Sequence, residues 1–298
     1  MPTITVAIPV YNGAKTIRAT LNSVLQQSLA DIEIVVIDDG STDNTVSVVR
    51  QVEDSRIRLI SYPNQGLAAS RNRGIQQSQG EFISFIDADD LWTPNKLKDQ
   101  LAILRSNPSA AVAYSWTDCV DCSGNFCRRG SHISAQGNVY DKLLLGNFLD
   151  SGSNALFRKS VFDAVGQFDE SLKAAEDWDM FLRIACDHEF MAVPSVQILY
   201  RLSAQSMSTN LSRQEQESLR VLKRSFARRS PMSWLHKRKS YAQLYRYLNF
   251  KSLENCSTRK QALEAGQYLA KAVFQDPLQL RPIRLFTSQL GQIVRVLI

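Results

Sequence analysis

Four apolar runs open the chain: "ITVAIPV" from Ile4, "IEIVVID" from Ile32, "RIRLIS" from Arg56 and "FISFI" from Phe82. Each is short and almost unbroken, as a strand buried on both faces should be. The stretches between them carry apolar residues at helical spacing. Ile17, Leu21, Val24 and Leu25 form one set, and Val46, Val48, Val49 and Val52 another. The third, "GLAASRNRGIQQSQG", reads as a helix that stops at Gly80. Strand and helix thus alternate four times, which predicts a doubly wound, mostly parallel, Rossmann-like α/β sheet. Such sheets bind ligands just beyond the carboxyl ends of their strands.

The pattern loosens further along. "KLKDQLAILRSN" predicts an amphipathic helix, and "AAVAYSWTD" predicts a strand followed by a hairpin turn at Gly124-Asn125. Residues 140–172 mix short helices with polar loops. "AAEDWDMFLRIACDH" reads as a helix with acids in its first turn, where the macrodipole favours them. "EFMAVPSVQILYRLS" reads as a last strand pair or edge segment. From about residue 210 the pattern is helical, with a final stripe of Phe286, Leu290, Ile293 and Leu297. The expected division is 1–209 for the sheet domain and 210–298 for a helical basic extension.

Charge sharpens that division. The 298 residues carry a formal net charge of +6, but residues 1–209 sum to −6 and residues 210–298 to +12. The basic region has three readings: it packs on the sheet domain, it touches an anionic membrane surface peripherally, or it binds nucleic acid. The last is not expected, because no recognised motif accompanies the charge. Apolar residues make up 44% and charged residues 21%, ordinary for a soluble fold. Five cysteines, an odd number, fit reduced thiols better than a disulfide framework. The first ten residues read as a strand rather than a leader, and no run of about 18 apolar residues occurs. The expected location is cytoplasmic, or peripheral on the cytoplasmic face of the membrane.

The fourth apolar run ends in chemistry. "FISFIDADDLW" places Asp87, Asp89 and Asp90 within four residues, where they repel one another. Period two puts Asp87 and Asp89 on one side of an extended segment, able to share a cation. Hard oxygen ligands select Mg2+ or Mn2+, which complete their shell with water and substrate phosphate. Asp38 and Asp39 end the second run in the same way. An acidic loop with Asp90 starting the next helix is the plainer alternative.

Six segments in order, "VAIPVYN", "EIVVIDDGSTDNT", "NQGLAASRNRGI", "GEFISFIDADDLWTPNKLKDQL", "VGQFDESL" and "AEDWDMFLRI", resemble family-2 glycosyltransferases of the GT-A fold over residues 4 to about 208. The resemblance implies an inverting, metal-dependent transfer of a sugar from a nucleoside-diphosphate donor, usually a UDP-sugar. The acceptor would be a hydroxyl of a glycan, a lipid-linked acceptor or a protein. It implies that Tyr11 lies against the base, that Asp39 accepts a hydrogen bond from the base edge, and that Arg71 approaches the base or diphosphate. Asp87 would hold the ribose or a metal-bound water, and Asp89 would ligate the metal. Asp177, second in the "ED" pair with Glu176, would be the general base. Ser153 and Asn154 in "SGSNALFR" would face the donor sugar or the acceptor. "YRLSAQSMS" would close over the diphosphate. There many relatives carry His, and this chain has Arg201 and Ser206.

Other signals are weak. Cys119, Cys122, Cys127 and His132 lack the usual zinc spacing. "GAKT" lacks the phosphate-loop spacing, and no G-x-G-x-x-G follows the first strand. Rival functions are a nucleotide-sugar-binding module without turnover and a metal-dependent phosphatase. The phosphatase pattern places its acid pair on the first strand, whereas this one follows the fourth.

Overall fold

The computed structural model describes residues 1–203, 206, 209–229, 231–254, 256–277, 290, 291, 293 and 296. Part of the expected closing segment, Ala204, Gln205, Met207 and Ser208, lies outside the described residues, as do Phe286 and Leu297 of the final stripe. The chain divides into two units, Met1–Tyr140 with Asn147–Ser203, and Asp141–Gly146 with Ala204–Ile298.

The first unit opens with the expected alternation: β1 (Ile4–Val10), α1 (Ile17–Leu25), β2 (Ile32–Asp38), α2 (Thr45–Arg50), β3 (Ile57–Ser61), α3 (Leu67–Gln77) and β4 (Phe82–Phe85). β5 (Leu91–Trp92), α4 (Lys96–Ser106), β6 (Ala110–Val120) and β7 (Phe126–Arg129) follow. Next in the chain come α5 (Tyr140–Leu143), which lies in the second unit except for Tyr140, and then β8 (Leu156–Arg158), α6 (Val161–Val165), α7 (Glu176–Ala185) and β9 (Glu189–Arg201) of the first. The sheet order is β3-β2-β1-β4-β8-β6-β9-β5, with β7 paired to β6. The first four strands are parallel, in register Ile4 to Ile32 and Ile4 to Phe82. β8 then joins β4 and β6 antiparallel. Ile4, Val6, Ile8, Ile34, Val36 and Phe82 pack with Ile17, Leu21 and Val24 of α1 and Leu97 and Leu101 of α4 in the main core.

The segment after β4 shows that this sheet is curled. β4 and β5 stand four places apart, so a flat sheet would separate them by ~19 Å. The linker, residues 86–90, reaches that far only when fully extended. It is instead folded into a turn, with the Asp90 N–H donating to the Asp87 carbonyl at 3.0 Å. The curl is built by bulges where β6 and β9 lose register beside Ser115 and Trp116. Pro194 and Ser195 are skipped in that pairing, and proline, lacking an N–H, suits such a gap.

Two sequence expectations change here. "EFMAVPSVQILYR" is a single 13-residue strand, not a pair, and the two-residue β5 covers its outer side. α3 ends at Gln77 rather than Gly80. Gly80 is needed for close approach: a Cβ there would lie 2.6 Å from the Thr5 nitrogen.

The second unit holds α8 (Leu211–Arg228), α9 (Trp234–Leu253) and α10 (Arg259–Gln275). Asn210 and Ser233 cap the first two, and Thr258 with Gln261 forms a capping box on the third. Leu253, Ala262, Ala265, Leu269 and Ile293 form its apolar cluster. Among the described residues no helix is long and apolar enough to cross a membrane.

Candidate functional site

The turn after β4 is held almost completely by its surroundings. The Ala88 and Asp90 carbonyls share the Thr20 hydroxyl of α1, each at 2.9 Å. The Asp89 carbonyl accepts from Arg201 Nε at 2.7 Å. The Asp87 N–H donates to Ser153 Oγ at 3.0 Å, and Ser153 Oγ donates to Asp90 Oδ2 at 2.6 Å. Asp90 Oδ1 accepts from the Arg201 N–H at 3.1 Å. Asp90 is therefore not a helix-start residue. α4 begins at Lys96, and Asp90 is fully buried beneath the turn. Burial, then the charges of Asp89 and Asp87, push its carboxyl well above the usual range.

What the turn presents outward is Asp87 and Asp89. Asp87 Oδ1 accepts from Arg71 Nη2 at 2.8 Å. The Asp89 carboxylate is half-buried, and burial, followed by repulsion from Asp87, pushes its pKa up to about 6. Arg201 opposes that rise. No group of three or more metal-ligating side chains exists among the described residues. The two carboxylates that the turn presents, Asp87 and Asp89, suit a hard divalent ion that takes one or two carboxylates and completes its shell with water or phosphate.

Arg71, expected near the base or diphosphate, is 1% exposed. Its guanidinium bridges two acids, Asp87 and, through Nη1 at 2.6 Å, Glu176 Oε1. Burial alone would ease its proton off; the charges of Asp87, Glu176 and Asp177 more than offset this and raise its pKa. The Phe168 ring lies 5.6 Å from the guanidinium carbon. Gly152 closes the remaining side: a Cβ there would lie 2.3 Å from Arg71 Nη2 and 2.6 Å from Cζ. Because the guanidinium is tied at both ends, it has no room to retreat. Gly152→Ala is expected to cost about 2–3 kcal/mol by overpacking and to lower activity at least tenfold. Thermal melting with steady-state rates checks both; a variant with unchanged melting temperature and rate would refute the contact.

Glu176 and Asp177 open α7, behind a left-handed Ala175 (φ 58°) that costs about 1 kcal/mol. Asp177 Oδ1 accepts from the Trp178 N–H at 2.7 Å, and Oδ2 from Asn147 Nδ2 at 3.2 Å. Burial and then the neighbouring Glu176 charge, against the pull of Arg71, push its pKa up to about 7. That value suits a group that takes a proton near neutral pH. The third acid, Asp179, is structural: it pairs with Arg183 at 2.8 Å, and Arg183 also donates to the carbonyls of Val165 and Gln167.

Tyr11 follows β1, the parallel neighbour of β4, and is 53% exposed, so it is not a core aromatic. The next residue, Asn12, is left-handed (φ 53°), and its side chain accepts from the Thr42 N–H at 2.8 Å. Asp39 is buried and already accepts three hydrogen bonds, from Gln65 N (3.0 Å), Gly66 N (2.7 Å) and Arg73 Nη1 (2.9 Å). Ser153 and Asn154 depart from expectation: both are completely buried rather than facing a ligand. Asn154 braces the β6 bulge, accepting from Ser115 N at 2.8 Å and donating to Ser115 O at 2.7 Å. Arg201 also points inward, to the Asp89 and Cys122 carbonyls. Cys122 and Cys127 are exposed thiols, while His132 pairs with Asp118 at 2.7 Å and stacks on Trp116. Thr20, Arg73 and Asn147 escaped the sequence reading, since no local motif marks them.

The family model described as "Glycosyltransferase like family 2" matches residues 5–252. An uncharacterized glycosyltransferase of Rickettsia conorii is 29% identical over 279 residues, 92% of this chain. The chain spans 46% of the length of that relative. WfgD of Escherichia coli, named a UDP-Glc:alpha-D-GlcNAc-diphosphoundecaprenol beta-1,3-glucosyltransferase, is 32% identical over 70% of this chain and 80% of its own. Among solved structures, S. aureus TarS 1-349 in complex with UDP-GlcNAc superposes with a TM-score of 0.65 at 21% identity, covering 99% of this chain and 89% of that one. The mannosyltransferase PcManGT of Pyrobaculum calidifontis, in complex with GDP-Man and Mn2+, gives 0.61 at 20%, covering 98% and 85%. The fold is thus of the GT-A type, and with the family match spanning both the acidic turn and the start of α7, the chain belongs to glycosyltransferase-like family 2.

Proposed function

We propose that the chain is an inverting glycosyltransferase that moves a sugar from a UDP-sugar to an acceptor hydroxyl, with Asp177 as the general base. The observation that carries this reading is the Asp87–Arg71–Glu176 ladder, which ties the acidic turn after β4 to the acid pair of α7. Those are the two groups such a transfer needs side by side. One handles the donor's diphosphate, the other the incoming hydroxyl.

On the donor side, Tyr11 offers an exposed ring on which a base can stack. Asp39 retains acceptor capacity on Oδ2, which takes one N–H, so a base N–H can be read there. Asp89 would hold Mg2+ or Mn2+, with Asp87 beside it at the ribose or a metal-bound water. When bound, that ion would neutralise the charge left on the departing diphosphate. On the acceptor side, the Asp177 carboxylate removes the hydroxyl proton as the sugar carbon is attacked. Asn147 and the Trp178 N–H hold that carboxylate in place. Attack from the face opposite the diphosphate inverts the anomeric centre, and no covalent enzyme intermediate is needed.

A lipid-linked acceptor is favoured, because WfgD is named for one. The basic second unit supports peripheral contact with an anionic membrane. Residues 210–298 carry +12, and Trp234 (68% exposed) stands in cation–π contact with Arg238.

The test is nucleotide release from a panel of nucleoside-diphosphate sugars with Mn2+, with and without a diphospholipid-linked sugar acceptor. One sugar nucleotide is expected to be consumed and to raise the melting temperature selectively. A base must be deprotonated to act, so kcat/KM is expected to rise about tenfold per pH unit below about 7 and to level above it. A panel that yields neither binding nor turnover refutes the proposal, and a flat profile from pH 5 to 8 removes Asp177 from the role.

A further inference from the structure

Among the described residues, Ser153 is the one side chain that reaches both ends of the acidic turn. Its Oγ accepts the Asp87 N–H at 3.0 Å and donates to Asp90 Oδ2 at 2.6 Å. Its carbonyl accepts from the Trp92 indole N–H at 2.8 Å. Its neighbour Gly152 lies against the Arg71 guanidinium, the partner of the Asp87 carboxylate. The far side of the same segment is anchored independently, through Asn154 to Ser115 and through Gln100 Nε2, which donates to the Asn154 carbonyl at 3.1 Å. Ser153, Asp90, Trp92, Asn154, Ser115 and Gln100 are all buried, which fixes their hydrogen bonds in direction and shields them from water. A hydroxyl that uses its proton on one carboxylate and its lone pair on a neighbouring amide sets the spacing of Asp87 and Asp90, and so the presentation of Asp89 between them.

We propose that Ser153 is a positioning residue for donor binding: through the Asp87 amide and the Asp90 carboxylate it holds the acidic turn in the conformation that takes up a divalent ion and a nucleoside diphosphate. This rests on the donor reading given above. The serine touches neither ligand, and its part is to keep the turn from opening. A turn freed at both ends must be ordered again each time the ligand binds. The loss therefore falls on affinity and on the metal concentration required, more than on the chemical step.

The experiment uses the full chain and three variants, Ser153→Ala, Ser153→Cys and Ser153→Thr. Binding of UDP with Mn2+ is measured by calorimetry across a Mn2+ titration, alongside melting temperature. Leaving the buried Asp90 carboxyl and the Asp87 amide without their shared partner supports an expectation of about tenfold or greater weakening of UDP binding in Ser153→Ala, with a matching rise in the half-saturating Mn2+ concentration. Ser153→Cys fills the serine volume but bonds weakly, and is expected to lose affinity likewise; it stands in for the alanine variant should that fail to fold. Ser153→Thr keeps the hydroxyl and is expected to recover most of the affinity. A folded alanine or cysteine variant with unchanged UDP affinity and Mn2+ dependence would overturn the positioning role while leaving the donor site intact. A wild-type chain that takes up no UDP at any Mn2+ concentration would instead overturn the donor reading, and this proposal with it.

Discussion

Asp177→Asn is expected to abolish transfer and, at the same time, to make the protein more stable at pH 8. The first half follows from the proposed base. Asparagine cannot accept the acceptor's proton, and loss of a general base lowers the rate by roughly 10²–10⁴-fold. The second half follows from proton linkage. The folded Asp177 carboxyl titrates at about 7 against 3.8 for the unperturbed group. As pH rises between those values, the unfolded chain gives up its proton while the folded chain keeps it, so folding loses stability across that window. Above about pH 7 the whole cost of a buried charge beside Glu176 is present. The substituted amide keeps the shape and the capacity to accept from Trp178, and removes the charge. For a half-buried group the gain is set at about 1–2 kcal/mol after screening, or a few degrees of melting temperature in a unit this size. At pH 3 both states of the wild type are protonated and the gain vanishes. Calorimetry of both proteins at pH 3 and pH 8, with rates at pH 8, checks both halves. Retained turnover, or a lower melting temperature at pH 8, contradicts the assignment.

Arg71→Met is expected to produce the largest loss of stability of any single change in the site. It leaves Asp87 and Glu176 facing one another without their shared cation. Removing one partner from a buried ion pair costs about 3–5 kcal/mol, which lowers the melting temperature by on the order of 10 °C. The Glu176 side chain is 8% exposed and Asp87 24%, so most of the penalty belongs to Glu176. Adding Glu176→Gln to Arg71→Met is therefore expected to return about half of the lost stability without restoring activity. Arg71→Lys is not expected to rescue either property, because an ammonium lacks the forked donors that reach two carboxylates from a fixed plane. A double variant no more stable than Arg71→Met alone would show that the pair does not share its energy in this way.

The sheet could be read from the sequence because its strands are buried on both faces and separated by helices of ordinary period. Ile4–Val10, Ile32–Asp38 and Phe82–Phe85 stood out for that reason alone. Asp87 and Asp89 stood out as carboxylates at a strand end against apolar neighbours, whereas Asp177 was singled out only by the family resemblance. Arg71 was placed at the site, but its direction could not be read. A helical arginine with nothing apolar marking it looks exposed until the partner 105 residues away is in view. Ser153 and Asn154, which the family resemblance placed facing a ligand, satisfy backbone groups in the interior, a pairing that no local pattern announces. Lys96 and Asp90 show the same limit. Both are completely buried, and nothing in their immediate sequence distinguishes them from surface charges.

The bridge made by Arg71 has a bearing on chimeric enzymes. Re-engineering acceptor preference by grafting α7 and its approach from a relative exchanges Glu176 and Gly152 while leaving Arg71 and Asp87 behind. A crossover anywhere between Asp87 and Gly152 therefore cuts one electrostatic unit in two. Functional hybrids are expected only from donor sequences that carry a glycine and an acid at those two places.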